Sequence, residues 1–468
     1  MTAAPGTAPG EIWDAPQAMS PLDATVSVPG SKSLTNRFLV LAALANAPVT
    51  IRGGLASRDS ALMIGALDSL GIGVDASDPE VWRVMPALIA GGGRIDCGLA
   101  GTVMRFVPPL VLLADGPVSF DGDHGARVRP MGPLLDALRM LGATVDDGGT
   151  GTLPFTVTPA PEASTTSGTI FAALPANTRQ MPNEVTIDAS GSSQFVTGLL
   201  LVAPRLARGL TIRHVGEHLP SLPHIDMTCE ALRDAGVRID QPDQTTWVVH
   251  PGPISLGDVR VEPDLSNAGP FLAAAMVAGG TVRIPGWPSS TTQPGALFPE
   301  LLSRMGARCS LVDGVLSVTG TGVIAGIEAD LSGAGEITPT IAALCALADG
   351  PSQLTGIGHL RGHETDRLAA IAAEVERIGG QCLAGDDSLK FAGLPVGGLR
   401  PAVMETYHDH RMATFAAIIG LAVPGLQVRD VATTAKTMPD FPQLWVGMLA
   451  GDAPLAKPPP VPLARTSQ

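Results

Sequence analysis

The chain has 468 residues, a length that suggests two to four domains, and with 45% hydrophobic and 16% charged residues it can bury a sizeable core, which excludes disorder of the whole. Its formal charge of −14 excludes a general affinity for nucleic acid or anionic membrane, because both attract clustered Lys and Arg. Any anion it binds must therefore be held by a local basic pocket.

The five cysteines, from Cys97 to Cys382, are widely separated and include no C-x-x-C, so neither a disulfide framework nor a thiolate zinc site is expected. A reducing cytoplasm fits. No basic residue precedes Lys32, so a signal-peptide n-region is missing, and the longest strongly apolar stretch, Met412 to Leu426, is too short to span a bilayer. The expectation is a soluble intracellular protein.

Residues 1–10 and 453–468 read as tails without function. Between them an amphipathic helix end closed by Gly and followed by a strand recurs at Leu67-Asp-Ser-Leu-Gly71, Leu138-Arg-Met-Leu-Gly142, Leu232-Arg-Asp-Ala-Gly236, Leu302-Ser-Arg-Met-Gly306 and Val375-Glu-Arg-Ile-Gly379. Gly stands where a helix needs a left-handed residue after its last turn. A second series interleaves with the first, a small polar segment leading into an Ala-rich apolar run. It starts near Ser31-Lys-Ser33, Ala100-Gly-Thr102, Ser192-Ser193, Ser266-Asn267, Glu336-Ile-Thr338 and Asp409-His410. Six such starts imply six copies of one α/β unit, arranged as two globular halves of three. The extra length around residues 150–187, rich in Ser, Thr and Pro, reads as an insertion or long hairpin.

Helix starts with small polar caps are potential anion sites, because backbone N–H groups and the helix dipole both favour negative charge. Capping alone explains any one of them. Cations accumulate beside them, however. Lys32 is one of four lysines, lies in Pro29-Gly-Ser-Lys-Ser-Leu-Thr-Asn-Arg37, and is joined by Arg105, Arg127 and Arg129 in the second copy. His363-Glu-Thr-Asp-Arg367, His408-Asp-His-Arg411 and Thr433-Thr-Ala-Lys-Thr437 add cations beside carboxylates in the second half.

These segments, with Leu99-Ala-Gly-Thr-Val-Met-Arg105, Arg129-Pro130 and Ser192-Ser-Gln194, resemble the signatures of the 5-enolpyruvylshikimate-3-phosphate synthase family, in family order over about residues 20–450. The resemblance implies an α/β fold of two similar globular domains, each of three βαβαββ repeats (an inverse α/β barrel), with a ligand cleft between them. Residues 30–262 would form one domain, and residues 1–29 with 263–468 the other. It also implies transfer of the enolpyruvyl group from phosphoenolpyruvate to the 5-hydroxyl of shikimate 3-phosphate, with release of phosphate. No metal or organic cofactor is implied, and a monomer is expected.

By motif position the resemblance assigns shikimate 3-phosphate to Lys32, Ser33, Arg37, Ser192, Ser193, Gln194, Ser221, Glu336, His359 and His363. Phosphoenolpyruvate falls to Lys32, Gly101, Arg129, Gln194, Arg367, Arg411 and Lys436. Glu336, where the family usually has Asp, is the candidate for accepting the hydroxyl proton, and Glu364 for exchanging the proton at C3, beside Lys32 as the third catalytic candidate. The family is the target of glyphosate, which implies that this compound occupies the phosphoenolpyruvate pocket.

His363 stands where many members have Lys and His359 where many have Asn. A charged His363 would bind shikimate 3-phosphate less well as pH rises, but the sequence does not fix the sign of its shift: Glu364 favours the charged form while Arg361 and Arg367 oppose it. The two histidines at i, i+4 lack a third ligand at metalloprotease spacing, which argues against zinc. The nearest rival, the sister enolpyruvyl transferase acting on UDP-N-acetylglucosamine, normally has a Cys in the loop that here runs from Asp121 to Pro130 without one. A non-catalytic repeat protein binding phosphometabolites would be expected to have lost Lys32 or a carboxylate.

Overall fold

The five helix-closing glycines all adopt the left-handed backbone, with φ of 83° at Gly71, 91° at Gly142, 83° at Gly236, 105° at Gly306 and 88° at Gly379. Each end makes the same pair of hydrogen bonds. At the first, Ile72 N–H donates to Leu67 O and Gly71 N–H to Asp68 O; at the last, Gly380 N–H donates to Val375 O and Gly379 N–H to Glu376 O. The chain is thereby turned back along its own helix into the next strand. The computed structural model describes residues 7–160, 182–216, 218–394 and 398–451. Of the expected insertion at 150–187, residues 161–181 lie outside the described residues, as do residues 1–6 of the first tail and all of the second, 453–468.

Among the described residues the strands assemble into five four-stranded sheets of one design and a sixth of three strands. In the design, a strand pairs in parallel with the next, which pairs antiparallel with the last strand of a hairpin. Arg94–Asp96 thus runs parallel to Val118–Asp121, and the latter antiparallel to Phe155–Thr158, whose hairpin partner is Thr144–Asp146. Glu184–Ile187 with Leu210–His214, and Glu328–Asp330 with Ser352–Thr355, repeat it. In the remaining two four-stranded sheets the first strand comes from a distant stretch of sequence. Val259–Arg260 pairs in parallel with Val49–Arg52, and Leu22–Thr25 with Gly280–Pro285. The sixth sheet joins Val403–Met404 to Gln427–Arg429 in parallel, and Ile12–Asp14 of the N-terminal segment closes its other side.

The contacts divide the chain into two compact units. Among the described residues one is Gly30–Val261, and the other joins residues 7–29 to residues 262–451. Each has its own core, and the helices that begin at the small polar starts lie inside it. Every residue of Thr338–Ala346 and of His410–Gly420 is buried, as are eight residues of Gln194–Val202 and 12 of Leu265–Ala278. A helix that is apolar all round must be enclosed, and the sheets with the Gly-closed amphipathic helices enclose these. At Gly30 the chain enters its unit so close to Gly53 that a Cβ would collide with that carbonyl, which requires Gly there. Among the described residues no helix is long and apolar enough to cross a membrane.

Candidate active site

In the unit Gly30–Val261 the cations stand at helix starts fixed by caps. Ser31 caps the helix Lys32–Ala43 through Leu34 N–H, putting Lys32 and Ser33 in its first turn. Lys32 Nζ lies 3.8 Å from Asp59, a buried carboxylate in the first turn of the helix Arg58–Ser69. Asn36 Nδ2 donates to Thr102 Oγ1 at 2.9 Å, joining this helix to Gly101–Phe106. Arg105 Nη1 donates to Gln194 Oε1 at 3.2 Å and its guanidinium lies 5.5 Å from the Phe195 ring centre, so Gln194 is held at the start of its own helix. Ser192 Oγ accepts the Gln194 N–H. Arg129, half-buried, reaches Leu99 O at 3.4 Å. Gly101 is packed so that a Cβ would lie 2.7 Å from Arg105 Nη1, 3.3 Å from Gln194 Oε1 and 3.5 Å from Arg129 Nη1. Two expected residues, Gln194 and Arg129, thus stand with Arg105 around one glycine.

Ser221 begins the helix Leu222–Asp234 with a left-handed backbone (φ 53°), and its hydroxyl does not cap that helix. Such strain in a non-glycine residue persists only where the surroundings impose it, and it gathers at ligand sites. Arg37 has partners within the protein as well. Its guanidinium is buried, donates to Thr228 Oγ1 (2.8 Å), Ser33 O (2.9 Å) and His224 O (2.8 Å), and lies over the Phe106 ring. In this arrangement Arg37 braces two helices; an i, i+4 spacing from Ser33 gave no sign of this, because both hydrogen-bond partners beyond Ser33 are remote in sequence.

In the other unit, Arg367 starts the helix Arg367–Arg377 and is buried against Asp409, which starts His410–Gly420. Nε donates to Asp409 Oδ2 at 2.7 Å and Nη2 to Oδ1 at 3.2 Å, while Asp409 Oδ1 also accepts the Arg411 N–H at 2.8 Å. Arg367 Nη2 reaches Glu364 Oε2 at 3.0 Å, and Lys436 Nζ donates to Glu364 Oε1. Arg411 Nη2 lies 3.8 Å from Glu336 Oε2. One cluster therefore holds Glu336, His363, Glu364, Arg367, Arg411 and Lys436. Lys436 is delivered by a short helical turn, Val431–Lys436, whose end is pinned by Asn267: its Nδ2 donates to Thr437 O, and Thr437 Oγ1 donates to Asn267 Oδ1. Sequence reasoning passed over Asp409, Asp59 and Asn267 as binding partners. Asp409 had a signal, a carboxylate one residue before a helix and two before Arg411.

Burial alone would raise the Glu364 carboxyl, but the charges of Lys436 and Arg367, with smaller help from His410 and His363, hold it well below the usual carboxylate range. Burial likewise opposes the charge on Arg367, and Asp409 and Glu364 outweigh it, raising the guanidinium further. For His363 the sign left open by the sequence is downward. Burial first, then Arg367, push it to about 3 against the pull of Glu364 and Glu336. Its Nδ1 lies 3.0 Å from Arg367 Nη1, and since a guanidinium only donates, Nδ1 accepts. His359 stands beside it, the ring centres 5.8 Å apart. The charged His363 considered above is thus replaced by a neutral one. Affinity for an anionic substrate should show no limb from His363 between about pH 6 and 8. The unfolded chain takes up this proton near the ordinary value of 6.5, the folded one only near 3, so this contribution to stability is present above 6.5 and lost as pH falls through that window. Urea denaturation of His363→Gln across it should show a shallower loss than the parent; equal slopes would reject the assignment.

Two α/β units of threefold design, each presenting cations and hydroxyls at helix starts, define a protein of the enolpyruvyl transferase fold. Solved structures similar to it include EPSP synthase from Acinetobacter baumannii, with a TM-score of 0.75 at 22% identity, covering 94% of this chain and 98% of that one. The enolpyruvyl transferase NikO from Streptomyces tendae matches with a TM-score of 0.66 at 22% identity, covering 92% and 96%. The family model of EPSP synthase (3-phosphoshikimate 1-carboxyvinyltransferase) matches residues 16–445. Proteins named 3-phosphoshikimate 1-carboxyvinyltransferase are similar over 94% of the chain: that of Bifidobacterium longum at 52% identity over 98% of its length, and that of Kocuria rhizophila at 53% over 97%. The chain belongs to the EPSP synthase family.

Proposed function

We propose that the residues assembled above carry out the reaction of this family, in which the enolpyruvyl group of phosphoenolpyruvate passes to the 5-hydroxyl of shikimate 3-phosphate and phosphate is released. The observation that carries the assignment of roles is the Lys436–Glu364–Arg367 cluster, a carboxylate held between two cations. Phosphoenolpyruvate brings a phosphate and a carboxylate, which suit the forked guanidinium of Arg367 and Arg411 and the point charges of Lys32 and Lys436. Arg129, Gln194 and Gly101 complete its set. Shikimate 3-phosphate is assigned to Lys32, Ser33, Arg37, Ser192, Ser193, Gln194, Ser221, Glu336, His359 and His363, with Arg37 also bracing the helix that carries the first two.

Addition forms a bond between the 5-oxygen and C2 while C3 gains a proton; Glu336 accepts the proton leaving the hydroxyl. In the second half C3 gives up a proton to Glu364, the bond from C2 to the bridging phosphate oxygen breaks, and the phosphate leaves with its electron pair. Without substrate, Lys436 and Arg367 keep Glu364 ionised. Once the substrate anions draw on those same cations, less opposes the effect of burial, so the carboxyl rises and can hold the proton it donates to C3. The protein's own charge, at −14, makes such local cations necessary. A cytoplasmic monomer fits this reading.

A phosphate-release assay with phosphoenolpyruvate and either shikimate 3-phosphate or UDP-N-acetylglucosamine tests it. Release with the shikimate ester alone is expected; release with the nucleotide sugar alone would overturn it. Gly101→Ala provides a second check. The added methyl must displace the end of Arg105 and press on that of Gln194 while touching Arg129, so the Michaelis constant for phosphoenolpyruvate should rise. The glyphosate concentration needed for inhibition should rise more, because glyphosate is the bulkier ligand. Equal changes would reject the steric explanation.

A further inference from the structure

Glu374 lies in the third turn of the helix Arg367–Arg377 with its side chain fully buried. A buried carboxylate is costly unless its lone pairs are filled. Here Oε1 accepts the Tyr407 hydroxyl at 2.7 Å, and Oε2 accepts the Glu405 N–H at 3.1 Å and Arg377 Nε at 3.0 Å. The helix that begins with Arg367 is thus tied to the segment leading into Asp409. Tyr407 is the single tyrosine of the chain. Burial, then the bond to Glu374, push its phenol up to about 12, so it stays a donor throughout the neutral range.

The backbone at this tie is strained. Tyr407 and His408 both have left-handed backbones, with φ of 55° and 56°, a conformation that costs non-glycine residues on the order of 1 to 3 kcal/mol each. The double turn delivers Asp409, whose carboxylate receives Arg367 and the Arg411 N–H. Relaxation of the turn would carry Asp409 away from Arg367. The His408 side chain is 92% exposed and reaches Asp430 at 3.4 Å, too open a contact to hold the turn. The Tyr407 hydroxyl is anchored to a buried group on the very helix that Arg367 begins.

We infer that Glu374 and Tyr407 are positioning residues, whose hydrogen bond holds the left-handed turn at 407–408 and thereby aims Arg367 and Arg411 through Asp409. This rests on the reading of those arginines as phosphoenolpyruvate ligands. Neither Glu374 nor Tyr407 is assigned to the reacting groups; they set the geometry of residues that are.

The experiment is steady-state kinetics of Tyr407→Phe, which keeps the ring and removes the donor, with folding followed by circular dichroism and urea denaturation. The Michaelis constant for phosphoenolpyruvate should rise ~10-fold, the effect of one hydrogen bond to a charged group, while that for shikimate 3-phosphate stays within about two-fold. Glu374→Gln retains an acceptor for the phenol and should be milder than Glu374→Ala, a rescue that simple filling of space would not produce. If Glu374→Ala fails to fold, Tyr407→Phe alone decides. An unchanged phosphoenolpyruvate constant, or an equal rise for both substrates, overturns the inference. Arg411→Lys separates the two layers. If it leaves the phosphoenolpyruvate constant unchanged, the ligand reading fails; if it raises that constant and Tyr407→Phe does not, the positioning role alone fails.

Discussion

Glu364→Gln should lower the turnover number by ~10²-fold or more while changing affinity for shikimate 3-phosphate by no more than a few-fold, and Glu336→Gln should do the same. The two substitutions keep shape and remove the titrating group. At position 364 the remaining amide oxygen can still accept from Lys436 or Arg367, so a purely structural carboxylate would tolerate the exchange in turnover and show its loss mainly in phosphoenolpyruvate binding. The pattern across the two constants therefore separates a proton carrier from an ion-pair partner. The pH dependence has a fixed sign in the free protein. Because Lys436 and Arg367 hold Glu364 well below its ordinary value, the ionised form persists as pH falls past the usual carboxylate range, and its stabilising contribution, fully present above the ordinary value, is lost progressively as pH falls from there to the lowered one. Near-normal turnover in both Gln variants would end the catalytic assignment.

The second large effect is on stability. Arg367 is 2% exposed and Asp409 is fully buried, and breaking such a pair from one side typically costs ~3 to 5 kcal/mol because the remaining charge is left in a poorly solvating interior. Asp409→Ala also removes the acceptor of the Arg411 N–H at the start of a helix buried along its whole length, a capping loss of ~1 kcal/mol. Glu364 remains beside Arg367 at 3.0 Å and offsets part of the loss. A drop of ~3 kcal/mol or more in unfolding free energy at neutral pH is expected, read from urea denaturation. A loss below ~1 kcal/mol would show that water reaches Arg367 when Asp409 is removed, and that the pair does not organise the site.

How much of this was legible in the sequence varies with the range of the interaction concerned. The Gly-closed helix ends and the polar helix starts are local: a left-handed residue after the last turn and an oxygen acceptor before the first are requirements that neighbouring residues impose on each other. Gly71, Gly142, Gly236, Gly306 and Gly379 accordingly appear where the pattern put them, and the repeat count came from the six polar starts that interleave with them. The motif residues were legible for the same reason, since Lys32, Gln194 and Arg367 each occupy the first position of a helix. The sixth sheet was not, because its third strand comes from residues 12–14, more than four hundred positions from its partner. The partners of Arg37 within the protein were not legible either, because a guanidinium goes wherever acceptors and aromatic faces await it, and Thr228, His224 and Phe106 are assembled by folding.

Protonation was the least legible feature. Residue identity and spacing specify which charges are near in sequence, so His363 could be seen to stand beside both Glu364 and Arg367, with opposite effects. The balance depends on burial, which no local pattern encodes, and burial is the largest influence on both His363 and Glu364. It wins at His363, where the charge of Arg367 acts in the same direction, and loses at Glu364, where Lys436, 72 residues away, adds its charge to that of Arg367. Periodicity was sufficient for the count of six α/β copies, and the resemblance of the motifs for the fold and the list of charged groups; which of those groups carry a proton, and which are held in place by others, is decided by distances of a few ångströms that exist only once the chain has packed.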